Sequence, residues 1–183
     1  MPAILSEEMS KKFKQMIARV LLDGSNEKFL NTMQILIGKD NVEKMIEEIY
    51  KEYSWLLSMK YISLSPKVQE IIAQIYEKSR KFKVEIPFFI KTNGELTFCY
   101  SLKPHPSQIK VSDKVIEWAK KEKMILVHTH YTGNPPSHTD RIFHLRYLLP
   151  VGVLYENGKL TLVILKGYRN DIEVTISDYK LKK

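Results

Sequence analysis

Apolar residues recur at helical spacing through the first third of the chain. Met9, Phe13, Met16, Ile17, Val20 and Leu21 fall on one face, and Asp23-Gly24-Ser25 breaks the run. Phe29, Leu30, Met33, Leu36 and Ile37 repeat the pattern up to Gly38, after which Asp40 is placed to cap a third helix carrying Val42, Met45, Ile46, Ile49, Tyr50, Tyr53, Trp55 and Leu56. Residues 1–58 are therefore expected to form an all-helical N-terminal extension whose stripes pack on one another and on the rest of the chain. No chemistry stands out in it.

The period changes at Met59. Residues 60–64 read as a short strand, and Ser65-Pro66 opens a helix containing Val68, Ile71, Ile72, Ile75 and Tyr76. Two β-prone runs, 84–90 and 96–100, flank Asn93-Gly94, a pair that predicts a tight hairpin with φ > 0 at both turn residues. Ser112 or Asp113 caps a helix through Val115, Ile116 and Trp118. Residues 124–130 read as a buried strand, and Ser137 starts a helix ending near Leu149-Pro150. A second Asn-Gly pair, Asn157-Gly158, joins runs 151–155 and 160–165, with a last strand expected over 172–176. Residues 59–183 thus predict an α/β domain of the α+β type: a mixed, largely antiparallel sheet flanked by helices, since the hairpins break the strand-helix alternation of a doubly wound sheet.

Composition adds limits. The 183 residues are 44% hydrophobic and 27% charged, which fits a folded globular chain and not a disordered one. No apolar run approaches the ~18 residues of a membrane span. Residues 1–8 lack the basic and apolar segments of a signal peptide, and one cysteine, Cys99, allows no internal disulfide and no cysteine-based zinc knuckle. A reducing cytoplasm is the expected address. The formal charge of +8 is unevenly placed: residues 1–58 hold 8 Lys/Arg against 9 Asp/Glu, whereas residues 59–183 hold 21 against 12. That excess could attract nucleic acid or an acidic protein, although the lysines are scattered along a solvated surface.

Four of the five histidines, His128, His130, His138 and His144, lie within seventeen residues. Side chains alternate along a strand, so His128 and His130 share a face while Thr129 points away. A loop with Gly133, Pro135 and Pro136 returns to a helix whose first turn holds Asp140. Two imidazoles and a carboxylate make three zinc ligands and leave a fourth position open, as catalytic zinc requires. Ser137 and Asp140 are also spaced as a capping box, which accounts for both residue types without a metal. His138 reads as an exposed first-turn residue, His105 as a surface loop residue, and His144, one turn beyond Asp140, as an alternative ligand. Cys99 reads as inert packing.

His128-Thr129-His130 followed by Ser137-x-x-Asp140 resembles the zinc motif of the JAMM/MPN-domain (JAB-like) metalloproteases, His-x-His-x(7)-Ser-x-x-Asp. The spacer here holds six residues rather than seven, and Tyr131 stands where a Pro usually follows the second His. The run 85–90 with its hairpin, and Gly133-Asn134-Pro135, are similar to the RadC-like branch. The resemblance spans roughly 59–178 and implies an MPN/JAB-like, deaminase-like architecture. It further implies Zn²⁺ held by His128, His130 and Asp140, with Glu85 as general base and Ser137 steadying the oxyanion. The implied activity is hydrolysis of a peptide or isopeptide bond at the C-terminus of a ubiquitin-like modifier or sulfur-carrier protein. The rivals are a RadC-like nucleic-acid-associated module and a non-catalytic MPN-type scaffold. RadC proteins carry a helix-hairpin-helix region with Gly-x-Gly turns, whereas residues 1–58 offer only the isolated Gly24 and Gly38.

Overall fold

A computed structural model describes residues 4–23, 27–166 and 171–176. Three helices come first: α1 (Glu7–Asp23), α2 (Glu27–Ile37) and α3 (Lys39–Ser58). Gly38, at φ 91°, is the N-cap of α3, so Asp40 sits in its first turn instead of capping it. Helix α4 (Pro66–Phe82) starts as its sequence predicts, with the Ser65 side chain accepting from the Val68 N–H and Pro66 in the first turn. Strands β1 (Pro87–Lys91) and β2 (Leu96–Thr97), helix α5 (Asp113–Lys121), strand β3 (Met124–Thr129), helix α6 (His138–Tyr147) and strands β4 (Val151–Glu156), β5 (Leu160–Leu165) and β6 (Asp171–Thr175) complete the order. No helix among the described residues is long and apolar enough to cross a membrane.

The six strands form one mixed sheet in the order β2-β1-β3-β4-β5-β6. Only β3 and β4 run parallel, and α6 is the crossover between them. The other neighbouring pairs are antiparallel, which bears out the mixed, largely antiparallel α+β expectation. Alternation divides the sheet cleanly. Ile125 and Val127 of β3, with Phe88 and Ile90 of β1, share a cluster with Ile72, Ile75 and Tyr76 of α4. Met124 and Leu126 join Phe89, Val115, Ile116, Ala119 and Leu149 in another. His128 and His130 continue the second set, Thr129 the first.

Three further details depart from the sequence reading. Residues 60–64 form no strand: Ile62 and Leu64 are buried and Tyr61 is exposed, but this extended segment has no ladder partner and instead passes the β1–β2 turn. A Cβ on Gly94 would collide there with the Ser63 carbonyl oxygen. The run 96–100 pairs only over Leu96–Thr97, since Phe98 and Tyr100 bury too little for their β propensity to be realised. Neither Asn-Gly turn has two positive φ angles. Gly94 (88°) and Gly158 (75°) alone are left-handed. Asn93 uses its side chain to accept from the Glu95 N–H, giving the longer hairpin loop with glycine at its left-handed position.

The expected boundary at 58/59 coincides with the end of α3. Packing does not stop there. Ile17, Met33, Ile37, Val42, Ile49, Tyr53 and Leu56 belong to the same buried cluster as α4 and the sheet.

Candidate metal centre

The site lies where β3 ends and α6 begins, at the carboxyl end of the one parallel pair. His128 is the penultimate residue of β3 and His130 the first beyond it. The backbone of His130 is pinned on both sides: its N–H donates to Leu154 O at 2.8 Å, and its carbonyl accepts from the Gly133 N–H at 3.0 Å and the Tyr76 hydroxyl at 3.2 Å. Gly133, at φ 83°, turns the chain so that the Asn134 carbonyl meets His130 Nδ1 at 2.9 Å. That bond fixes the tautomer: Nδ1 carries the proton and donates, leaving the Nε2 lone pair to face the cluster.

Helix α6 supplies the carboxylate. Ser137 and Asp140 do form a capping box, with the Asp140 N–H donating to Ser137 Oγ at 3.3 Å and the Ser137 N–H to Asp140 Oδ2 at 2.7 Å. Capping consumes only one carboxylate oxygen. Ser137 Oγ also donates to Oδ2, at 2.9 Å, whereas Oδ1 is turned to His128 Nε2 at 2.9 Å. Asp140 Oδ2 is 3.4 Å from His130 Nε2, and the two imidazole Nε2 atoms are 3.0 Å apart.

Burial would raise the Asp140 carboxyl, but the His128 hydrogen bond and charge, the Ser137 N–H and the charge of His130 together carry it down to about 2. The N-terminus of α6 favours the same ionised form. His130 is held below its ordinary 6.5, first by burial and then by His128, against the pull of Asp140 and of the loop carbonyls.

Glu85 reaches the cluster from the other side. It lies just before β1, joined to His105 by an isolated bridge in which each N–H donates to the other's carbonyl, at 2.7 and 3.0 Å. A relay under the sheet holds its flanks. Ser79 Oγ of α4 donates to Val84 O at 2.5 Å, Thr129 Oγ1 donates in turn to Ser79 Oγ at 2.5 Å, and the Ile86 N–H donates to Thr129 Oγ1 at 2.9 Å. Glu85 Oε1 is thereby set 4.0 Å from His130 Nε2. Burial pushes its carboxyl up from the usual 4.5, opposed by His128 and reinforced by Asp140.

Glu85, His128 and His130 lie close enough to hold a metal ion, with one donor atom from each inside 4.8 Å. Asp140 lies closer still to both histidines. Two carboxylates therefore compete for the third position. Bonds of 2.0–2.1 Å in a tetrahedral site put neighbouring ligand atoms ~3.3 Å apart. His128 Nε2 and His130 Nε2 stand 3.0 Å apart, with Asp140 Oδ1 2.9 Å from the first and Oδ2, the capping oxygen, 3.4 Å from the second, while Glu85 Oε1 stands 4.0 Å from His130 Nε2. A donor set of two imidazoles and a carboxylate suits zinc.

All five residues singled out in the sequence, Glu85, His128, His130, Ser137 and Asp140, line one cleft of about 660 Å³, walled by the segment 107–111 and by Ile142, Phe143, Arg146 and Tyr147. The other histidines stand apart. His138 is exposed; His105 is exposed, and its Nδ1 accepts from the Ser107 and Gln108 N–H groups. His144, the alternative ligand, is buried away from the cleft, with Nδ1 donating to Leu149 O at 2.7 Å. Cys99 is half-buried beside Ser101 Oγ. Sequence reasoning missed Tyr76, Ser79 and Thr129, which hold the site through their hydroxyls, and Asn134, which holds it through its carbonyl. Comparison of the chain with known proteins finds no matching family model, no matching curated protein and no matching solved structure.

Proposed function

We propose that the chain is a zinc-dependent hydrolase cleaving a peptide or isopeptide bond, as its resemblance to the JAMM/MPN metalloproteases implies. The observation that carries this reading is the convergence of two carboxylates on the histidine pair: the His128 and His130 Nε2 atoms are 3.0 Å apart, Asp140 Oδ1 lies 2.9 Å from His128 Nε2, and Glu85 Oε1 lies 4.0 Å from His130 Nε2. A purely structural histidine pair needs only one carboxylate. Zinc, when bound, supplies a Lewis acid that lowers the pKa of water from 15.7 towards ~7.

The chain's own residues supply the rest. His130, with its proton fixed on Nδ1, offers Nε2 as a lone pair. Asp140 offers Oδ1 while Ser137 occupies Oδ2 and prevents the carboxylate from turning. Glu85 takes a proton at Oε1 and returns it to the leaving amine, and its raised pKa brings it nearer to the pH at which both steps are efficient. Ser137 Oγ is committed to Asp140 Oδ2 here, so its support of an oxyanion requires that bond to be exchanged. The favoured substrate is the extended C-terminal tail of a ubiquitin-like or sulfur-carrier protein, laid into the cleft between 107–111 and α6.

The test is hydrolysis of a set of ubiquitin-like fusion proteins by the zinc-loaded chain, comparing wild type with Glu85→Gln. The expected result is cleavage of at least one fusion, with kcat lowered about 10²–10⁴-fold in Glu85→Gln and zinc content retained. Equal turnover in the two proteins would remove Glu85 from the mechanism.

A further inference from the structure

The histidine cleft has a continuation. Ile142 and Arg146, one turn apart on α6, line both the cleft and a second groove of about 380 Å³ between α6 and α1. Its floor is aliphatic: Leu145 is buried, while Met16 and Ile142 remain 46% and 40% exposed. Its rim is cationic, formed by Lys12 and Arg19 of α1 and Arg146 of α6, and no carboxylate lines it among the described residues. Lys12 is 3.7 Å from Glu8, an exposed pair that screens it little. Arg19 and Arg146 form no ion pair among the described residues. Arg146 lies over the ring of its neighbour Tyr147, at 5.3 Å.

Exposed methyl groups between three cations make a surface that water solvates poorly and that one kind of chain complements. We propose that the α1–α6 groove docks an acidic peptide segment with interleaved apolar side chains, and that the docked chain runs over Ile142 and Arg146 into the histidine cleft. This rests on the hydrolase reading above and adds the substrate's chemistry to it. It also gives α1 a role that its sequence alone did not suggest. Apolar side chains would bury against Met16, Ile142 and Leu145, while carboxylates meet Lys12, Arg19 and Arg146. A nucleic acid fits less well. No aromatic ring lines the groove among the described residues for a base to stack on, and the adjoining cleft presents Glu85 and Asp140 to any phosphate.

The experiment uses the full chain loaded with zinc and a fluorescein-labelled peptide of about twelve residues alternating Asp or Glu with Leu, read by fluorescence anisotropy. A peptide with Lys in place of every acid and a single-stranded oligonucleotide of equal length are run beside it. The acidic peptide is expected to bind, to weaken as salt rises, and to weaken about tenfold or more in Arg19→Glu. Arg19 is exposed, so its reversal leaves the core intact, and Arg19→Gln should give a smaller loss in the same direction. The Lys peptide should not bind. Peptide binding unchanged by Arg19→Glu, or an oligonucleotide that binds with that sensitivity while the peptide does not, overturns the proposal. Zinc measured in the same samples separates the two readings. Zinc retained without peptide binding removes the groove alone; peptide binding without zinc keeps the groove and removes the hydrolase.

Discussion

His130 and His144 begin from the same arrangement and end in different chemistry. Each donates from Nδ1 to a backbone carbonyl, Asn134 O or Leu149 O, and each is kept below the ordinary imidazole pKa by burial. The difference is what Nε2 meets. For His130 it meets a second imidazole and two carboxylates at the wall of a 660 Å³ cleft. For His144 it meets no hydrogen-bond partner, in a residue with no exposed surface and the Tyr53 ring edge-on at 5.8 Å. Burial with a fixed tautomer is thus common to a metal-ready histidine and a structural one. Converging carboxylates and open volume distinguish them.

The two environments also draw on different parts of the chain. The cleft is lined by residues from 85 onward, whereas His144 is closed over by Tyr53, whose hydroxyl donates to the His144 carbonyl at 3.4 Å. Removing residues 1–58 should therefore have the largest effect of all on stability. Eight large apolar side chains of α1–α3 are buried in the same cluster as α4 and the sheet, and at roughly 1.5–3 kcal/mol each their burial is of the order of the whole ~5–15 kcal/mol of a typical domain. Denaturant unfolding of the truncated chain should show no cooperative transition. A cooperative one would mean that the helices form a separate body.

A pH series sharpens the contrast at a smaller scale. The His144 pKa is lowered by burial to about 4, so the folded state holds it neutral while the unfolded chain takes up a proton near 6.5. Its contribution is complete above about 6.5 and is lost progressively as pH falls towards 4. Between pH 7.5 and 5 this costs about 2 kcal/mol. Urea unfolding of His144→Phe should lack that share of the pH dependence and keep its zinc. Asp140 titrates elsewhere: its contribution is present above about 4 and disappears as pH falls towards 2. An identical pH slope in His144→Phe would show that His144 is not held neutral.

The smallest effect belongs to Ser137. Ser137→Ala removes the cap acceptor and the Oγ–Oδ2 bond, which should cost about 1 kcal/mol in urea unfolding and about 10–100-fold in zinc affinity. Loss of stability with unchanged affinity would reduce Ser137 to a helix cap.

How much of this was written in the sequence follows from range. Helical periodicity and Ser65, Ser112 and Ser137 as caps are local, and the helices stand where they predict. Four of the five site residues were legible because strand alternation and one capped helix start place them within thirteen positions. Glu85 came only through the family resemblance, since nothing near it in sequence says that Ser79 and Thr129 will clamp its flanks. Residues 60–64 and 98–100 misled because alternation and aromatic content signal burial or propensity, while a strand also needs a partner. Helix α6 ends at Tyr147, close to the predicted 149–150, on a buried Leu148 that takes φ 50°, where glycine is usual.

The central claim is that His128, His130 and Asp140 hold zinc while Glu85 stands beside it and His144 takes no part. Zinc competition against a chromophoric chelator, on full-length wild type, Asp140→Asn, Glu85→Gln and His144→Phe, tests it most directly. The account predicts about one zinc per chain, affinity at least ~100-fold weaker in Asp140→Asn, and little change in the other two. Wild type without stoichiometric zinc, or Glu85→Gln losing zinc that Asp140→Asn retains, would contradict it.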